Sequence, residues 1–475
     1  MRILQTQDSM DTVEIIALLI FATTFFFILT ERIHRTVIGL FGAMTMVLAG
    51  MYFNFYHPEQ VLEVVDFNTL GLLFGMMILV GMLEHTGVFQ YLGIWTAKKT
   101  KGNPWLLMVA LSGITAILSM ILDNVTTIIL IVPITIIIAE MLKLNPIPIL
   151  MAEALLSNIG GVATLVGDPP NIMIGSAAGF SFNDFLEHSL PVVIVSWAAT
   201  LLIFRFIYRH ELKKEPQHVE QLMKMNEREA IKEPKTLKKL LAVFGLVIAL
   251  FFTHSMFHLE PAMVALIGAS LALLVVAPKH DPQHIIEKTE LSVLLFFGSL
   301  FVIVGGLEHA GVLERAANLL TAGAHNDLLL TAIIILWSSA ILSAIVDNIP
   351  LTVAMIPIIT YLGAQGLPVD LLWWALVFGV GFGGNGSPIG STAGVIVVAK
   401  SEKTENPISF IDWIKEGAPT MIAGLLIATA ALAFVTPWYT TPEDRMDFHT
   451  VEAGEHEGSE IVPQHGPLAP NPLAH

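Results

Sequence analysis

The chain has 475 residues, of which 54% are hydrophobic and 13% charged. Soluble globular chains carry about 25% charged residues, so this composition suits lipid rather than water. The absence of cysteine excludes disulfides, thiolate metal sites and cysteine nucleophiles, and a net charge of −16 argues against nucleic-acid binding.

Apolar runs of membrane length recur along most of the chain, as in a polytopic helical membrane protein. A transmembrane β-barrel would instead show short alternating segments. The first run follows Asp8, Asp11 and Glu14 rather than a basic stretch, which is not the pattern of a cleavable signal. Spans are expected over 13–30, 36–53, 67–86, 146–176 (interrupted) and 189–208. A second set follows over 238–255, 261–277, 290–307, 370–398 (interrupted) and 417–436. Lys and Arg concentrate in cytoplasmic loops. Arg32 and Arg35 follow the first span, Lys98, Lys99 and Lys101 the third, and residues 205–239 hold ten Lys/Arg against six Glu. Both termini are therefore expected outside, with 209–237 cytoplasmic. The Pro-, Glu- and His-rich end lacks apolar periodicity and is expected to be disordered. The chain thus divides into a first transmembrane repeat (1–208), a cytoplasmic linker (209–237), a second repeat (238–437) and an acidic tail (438–475).

Residues 105–141 carry Lys101 and Lys143 on their two flanks, so both ends belong on the cytoplasmic side. Asp123-Asn124 interrupts the middle of this apolar stretch, and a charge at the centre of a membrane helix costs about 3 kcal/mol. Two complete spans would expose that pair in an outside turn, whereas a re-entrant hairpin holds it near the midplane. Irregular backbone is tolerated at that depth where it is buried in protein or lines a cavity. The hairpin is the preferred reading.

An internal repeat is the strongest signal. "GMLEHTGV" (81–88) returns as "GGLEHAGV" (305–312), and "ILSMILDNVTTIILIVP" (117–133) as "ILSAIVDNIPLTVAMIP" (341–357), both at an offset of 224 residues. "GGVATLVG" (160–167) aligns with "GGNGSPIG" (383–390), and "SFNDFLEHSLP" (181–191) with "SFIDWIKEGAP" (409–419). Five spans per copy is an odd number, so the second copy enters the membrane inverted. The expected fold is an all-α polytopic membrane protein of two inverted-topology repeats, each with about five spans, one re-entrant helical hairpin and one broken helix. That is secondary-transporter architecture, with the site at the repeat interface.

Each hairpin tip offers Ser-x-x-x-Asp-Asn: Ser119, Asp123 and Asn124, then Ser343, Asp347 and Asn348, with Thr126 beside the first tip. Such hard oxygen ligands suit Na+, Li+ or a proton, although Asp and Asn also cap helix ends at turns. The first interrupted span should break at Gly167-Asp168-Pro169-Pro170, where tandem prolines remove backbone donors. Thr164, Asp168 and Asn171 there, with Asn385, Ser387 and Ser391 in the glycine-rich counterpart, are candidate further ligands. Within the expected core lie Asp123, Asp347, Asp168 and Glu153, with no Lys or Arg expected near the tips, so a cation or neutral solute fits better than an anion. Low dielectric favours the protonated form of a carboxyl, and a carboxylate that binds either Na+ or a proton exchanges them by competition.

The tip motif, together with "GGVATLVGDPPNIMI", resembles the ArsB/NhaD ion transporter superfamily over about residues 10–437. Within that superfamily the motifs are most similar to NhaD-type Na+/H+ antiporters, arsenite permeases and the P protein. More distantly they resemble the divalent anion/Na+ symporters, whose tips carry Ser-Asn-Thr. The resemblance implies opposed hairpins, an ion site on Ser119, Asp123, Asn124, Ser343, Asp347 and Asn348, and room for a homodimer. The expected activity is Na+(Li+)/H+ antiport in a bacterial inner (plasma) membrane, with Na+ held by Asp123, Asn124, Asp347 and Asn348. A permease for arsenite, another oxyanion or a citrate-like carboxylate is the alternative. An enzyme is not expected, nor a cofactor beyond the transported or coupling Na+ and H+; the expected partners are lipid and a small inorganic ion.

Overall fold

The computed structural model describes residues 10–440, apart from 31, 277–282, 284–288, 325–326 and 405. The tail called disordered lies outside the described residues from 441 onward. The regular elements among the described residues are all helices. In chain order they are α1 (Thr12–Leu29), α2 (Arg35–Phe53), α3 (Pro58–Val64), α4 (Phe67–His85), α5 (Val88–Lys99), α6 (Pro104–Ser119) and α7 (Asn124–Met141). Next come α8 (Ile147–Gly161), α9 (Pro169–Ala178), α10 (Phe182–His188), α11 (Leu190–Ile207), α12 (Val219–Lys224), α13 (Pro234–Thr253) and α14 (Pro261–Val276). The chain continues with α15 (Leu291–His309), α16 (Val312–Ala324), α17 (Leu328–Ser343), α18 (Asn348–Ala364), α19 (Asp370–Gly383), α20 (Thr392–Ser401) and α21 (Phe410–Phe434).

The repeat is visible in how equivalent elements begin and bend. Asn103 caps α6 by accepting Leu106 N–H at 3.0 Å, and Asp327, its copy, caps α17 through Leu330 N–H at 3.0 Å. Both second hairpin helices carry an internal proline, Pro133 in α7 and Pro357 in α18. Both interrupted spans restart after an extended residue: Asp168 (φ −145°, ψ 136°) before α9 and Ser391 (φ −148°, ψ 144°) before α20. The first break differs from expectation. Helix α8 already ends at Gly161, and Pro169-Pro170 open the next half-helix rather than ending the previous one. The first turn of a helix needs no backbone donors, so proline is preorganised there.

Two layers follow from the packing. An outer group has α2 against α15, α4 against α14, α13 against α14 and α1 against α2. An inner group has hairpin α6–α7 and helix α11 on α8, and hairpin α17–α18 and helix α21 on α19. Apart from its first residue, each of α8 and α19 is buried along its length. Outer faces stay apolar: Phe41 is 73% and Phe206 76% exposed. In water such surface would be unstable, whereas against lipid it is the expected outer face. Seven described helices are long and apolar enough to cross a membrane, alongside shorter apolar ones.

Residues 105–141 fold into two helices, α6 and α7, that turn at Asp123. Helix α6 has 16 residues, about 24 Å at 1.5 Å per residue, short of a 30 Å hydrocarbon core, whereas α7 is among the helices long and apolar enough to cross. Its tip is enclosed by protein: Ser119 and Asn124 are buried. The far end meets the linker, where Gln217 N–H donates to Leu142 C=O at 2.9 Å. Further along the linker, Lys232 N–H reaches Thr86 C=O at 3.0 Å, and Lys98 pairs with Glu227 at 2.6 Å, holding that carboxyl below its usual range.

Close backbone approach seats each hairpin on its broken helix. A Cβ on Gly160 would lie 2.5 Å from Ala116 C=O, and one on Gly383 2.6 Å from Ala340 C=O. Gly160→Ala and Gly383→Ala are each expected to destabilise the fold by about 1–3 kcal/mol through overpacking. The thermal midpoint in detergent checks this, with Gly298→Ala, whose Cβ meets nothing within 4 Å, expected to show no loss.

Candidate functional site

Both tips are turns that press against the two breaks. In the first half, Ser119 Oγ donates to Ser157 C=O at 2.7 Å, and Thr164 Oγ1 donates to Met120 C=O. In the second, Ser343 Oγ donates to Val380 C=O at 2.9 Å, and Ser387 Oγ to Ala344 C=O. Ser119, Thr164, Ser343 and Ser387 therefore join tip to break, with their hydroxyl protons already given to backbone carbonyls. Asn171 does similar work inside the first break, donating to Gly161 C=O (2.9 Å) and Thr164 C=O (2.8 Å).

The two halves meet through amides and one carboxylate. Asn158 Nδ2 donates to Asn385 Oδ1 and to Ser391 Oγ, each at 2.9 Å, while Asn124 Nδ2 donates to Asn158 Oδ1 at 3.3 Å. Asn348 Nδ2 lies 3.3 and 3.2 Å from the two oxygens of Asp168. Asn124, Asn158, Asp168, Asn348, Asn385 and Ser391 are all at least 96% buried. Asn348, the residue after Asp347, thus carries the second tip to Asp168 in the first break. Ten of the thirteen candidate site residues thus belong to the tip–break contacts, to the first break itself (Asn171) or to this cross-repeat network.

The remaining three, Asp123, Thr126 and Asp347, separate the two tips chemically. Asp123 caps α7: its Oδ1 accepts Thr126 N–H at 2.8 Å and its Oδ2 accepts the Thr126 hydroxyl at 2.6 Å. Asp347 makes no such cap. Its Oδ2 accepts Arg35 Nη1 at 3.3 Å and Thr392 Oγ1 at 2.9 Å, while its buried Oδ1 has no hydrogen-bond partner. The expectation that no basic residue lies near the tips is therefore wrong. Arg35 follows the first span in sequence, as a cytoplasmic loop residue would, but α2 begins at Arg35 itself and carries the guanidinium to the second tip. A cavity of about 310 Å3 opens here, lined by His34, Arg35, Phe296, Asp347 and Thr392 among others.

Sequence reasoning also missed Asn158 and Ser157. "LLSNIGG" holds two polar residues just before the first break, and that local polarity was the available signal. A separate cavity of about 510 Å3 is lined by Glu63, Asp66, Glu308 and His309, away from both tips.

A sequence profile of the citrate transporter family (CitMHS) matches residues 25–379. The chain belongs to this family. It is 38% identical over 421 residues to the 46 kDa membrane protein of Mycobacterium leprae, covering 87% of this chain and 97% of that protein. An uncharacterized transporter of Synechocystis is 32% identical over 442 residues, covering 88% of this chain and 96% of that one. Human P protein is 31% identical over 507 residues, covering 90% of this chain and 60% of that protein. In fold the chain is similar to the YdaH transporter of Alcanivorax borkumensis, with a TM-score of 0.57 at 12% identity over 86% of this chain and 100% of that one. As a member of the citrate transporter family with an apolar multi-helix body, the protein is a multi-pass membrane transporter.

Proposed function

We propose that this transporter exchanges Na+ (or Li+) for protons, binding the cation between the hairpin tips and the broken helices. The observation that carries the reading is charge. Asp168 lies in the cross-repeat network, Asp123 and Asp347 adjoin its members Asn124 and Asn348, and Arg35 pairs with Asp347. Carboxylates without a paired cation in a low-dielectric interior are costly unless a cation or proton occupies them. Side-chain oxygens of Asn124, Asn158, Asn385 and Ser391 supply the hard donors such an ion requires. The half-helix start at Asp168 and its copy at Ser391 are the discontinuities at which transporters bind ions. The proposed setting is a bacterial inner membrane with linker 209–237 cytoplasmic and the two repeats inverted.

A second reading, uptake of citrate or a similar carboxylate, is favoured by the family and by Arg35 and Thr392 facing a cavity of about 310 Å3, a ligand-sized volume. Proteoliposomes separate the two. Saturable collapse of an imposed pH gradient on adding Na+ or Li+ is the expected result. Absence of that response between about pH 6 and 9, in protein that takes up labelled citrate, overturns exchange in favour of carboxylate transport.

A further inference from the structure

We infer that Arg35 is a built-in counter-cation that latches the second hairpin to the outer helix layer and competes with the transported ion for Asp347. The consequence for ion affinity rests on the exchange reading above; the latch itself does not.

The pair crosses a structural boundary. Arg35 opens α2, which packs on α15 in the outer layer, whereas Asp347 sits at the tip of the α17–α18 hairpin in the inner one. One guanidinium nitrogen, Nη1, reaches both Asp347 Oδ2 (3.3 Å) and Thr392 Oγ1 (2.9 Å), tying α2, the hairpin tip and the half-helix α20 into one contact. The contact is also replaceable. It is single-pronged, longer than a good charge-assisted bond and partly solvated, with the two side chains 29% and 19% exposed. A second resting place is at hand, since the Arg35 guanidinium lies 5.4 Å from the Phe296 ring centroid, within cation–π range. On the carboxylate, Oδ1 is buried and unpartnered, so half of Asp347's coordinating capacity is unspent. The cavity beside it gives an incoming ion room to displace the guanidinium.

The copy lacks this device. Aligning "FGAM" (41–44) with "IGAS" (267–270) sets Arg35 against Pro261, and both oxygens of Asp123 are taken by Thr126. Two carboxylates that are equivalent in sequence are therefore held differently: one by its own helix start, the other by a cation from a different layer. An ion reaching Asp347 meets a competitor, and its apparent affinity falls by the fraction of molecules in which the latch is open. Release of Arg35 removes the tie between α2 and the hairpin tip while the packing of α18 on α15 and α16 remains, so ion binding is coupled to how firmly that tip is held.

The chain has no cysteine, which makes the test direct. His34→Cys and Val346→Cys place thiols on the two sides of the latch cavity. Cross-linking by a short bifunctional thiol reagent is read with Arg35 intact and in the Arg35→Gln background, after confirming monodisperse protein in detergent. Yield is expected to fall several-fold in Arg35→Gln; equal yields overturn the latch. Na+ titrations of intrinsic tryptophan fluorescence then read the competition. Half-saturation is expected at about tenfold lower Na+ in Arg35→Gln if the latch is closed about 90% of the time, and near wild type in Arg35→Lys. An unchanged midpoint in Arg35→Gln overturns the competition. Arg35-dependent cross-linking in a wild type with no Na+ response supports the latch and counts against Na+ exchange. Loss of citrate uptake in Arg35→Gln with unchanged cross-linking overturns the latch and makes Arg35 a substrate ligand.

Discussion

Replacing Asp123 with asparagine is expected to lower transport at least a hundredfold while the protein still folds. Asp123 is the N-cap of α7, and asparagine is as good an N-cap as aspartate. Its amide oxygen can accept Thr126 N–H as Asp123 Oδ1 does at 2.8 Å, and the Thr126 hydroxyl can turn to accept from the new amide. What disappears is the charge, the feature an exchanging cation or proton requires. Ion-driven flux in proteoliposomes, beside the thermal midpoint in detergent, gives the two readouts. Wild-type flux would remove Asp123 from the ion path and leave it a helix cap. Loss of both flux and fold would show that the negative charge itself holds the tip together. Asp347→Asn should also stop transport, with an added loss of stability, because Arg35 loses its partner.

Asn158→Ala is the second large effect. This side chain joins the first tip (Asn124) to the second break (Asn385 and Ser391), at 3.3, 2.9 and 2.9 Å. Removing it strips partners from three buried polar groups in a site where water has little access. Each buried unsatisfied group costs about 1–3 kcal/mol. Ser391 keeps a donor in Gly394 N–H (3.1 Å) and Asn385 keeps its bond to Leu155 C=O (3.2 Å), so a total near 3 kcal/mol is expected. Transport should fall at least tenfold, because the network sets the separation of the two halves. A midpoint and flux both equal to wild type would mean that Asn158 fills space and no more.

The contrast between the two tips bears on how such a transporter avoids symmetry. A repeat supplies two copies of each candidate side chain, and identical copies would make the two halves equivalent. Here the departures are local: Asp-Pro-Pro against Ser-Thr-Ala at the half-helix starts, and Thr126 against Arg35 at the carboxylates. Each changes what a carboxylate touches without moving the backbone frame that places it.

The sequence by itself determined the helical membrane fold, the two-copy organisation and the break of 105–141 at Asp123. These depend on quantities summed along the chain: apolar run length, the Lys flanks at 101 and 143, and ordered blocks recurring 224 residues apart. Only the tertiary structure decided what each tip residue touches. Asn158 carries no charge and so raised no flag of desolvation cost in an apolar run, yet it is the amide on which both halves close. The rule that places basic residues such as Arg35 in cytoplasmic loops describes a residue's side of the membrane but not its partner. Its contact with Asp347 spans 312 positions in sequence. No local pattern encodes such a pairing, because it is fixed by how the outer helices pack on the hairpins rather than by the periodicity of either segment.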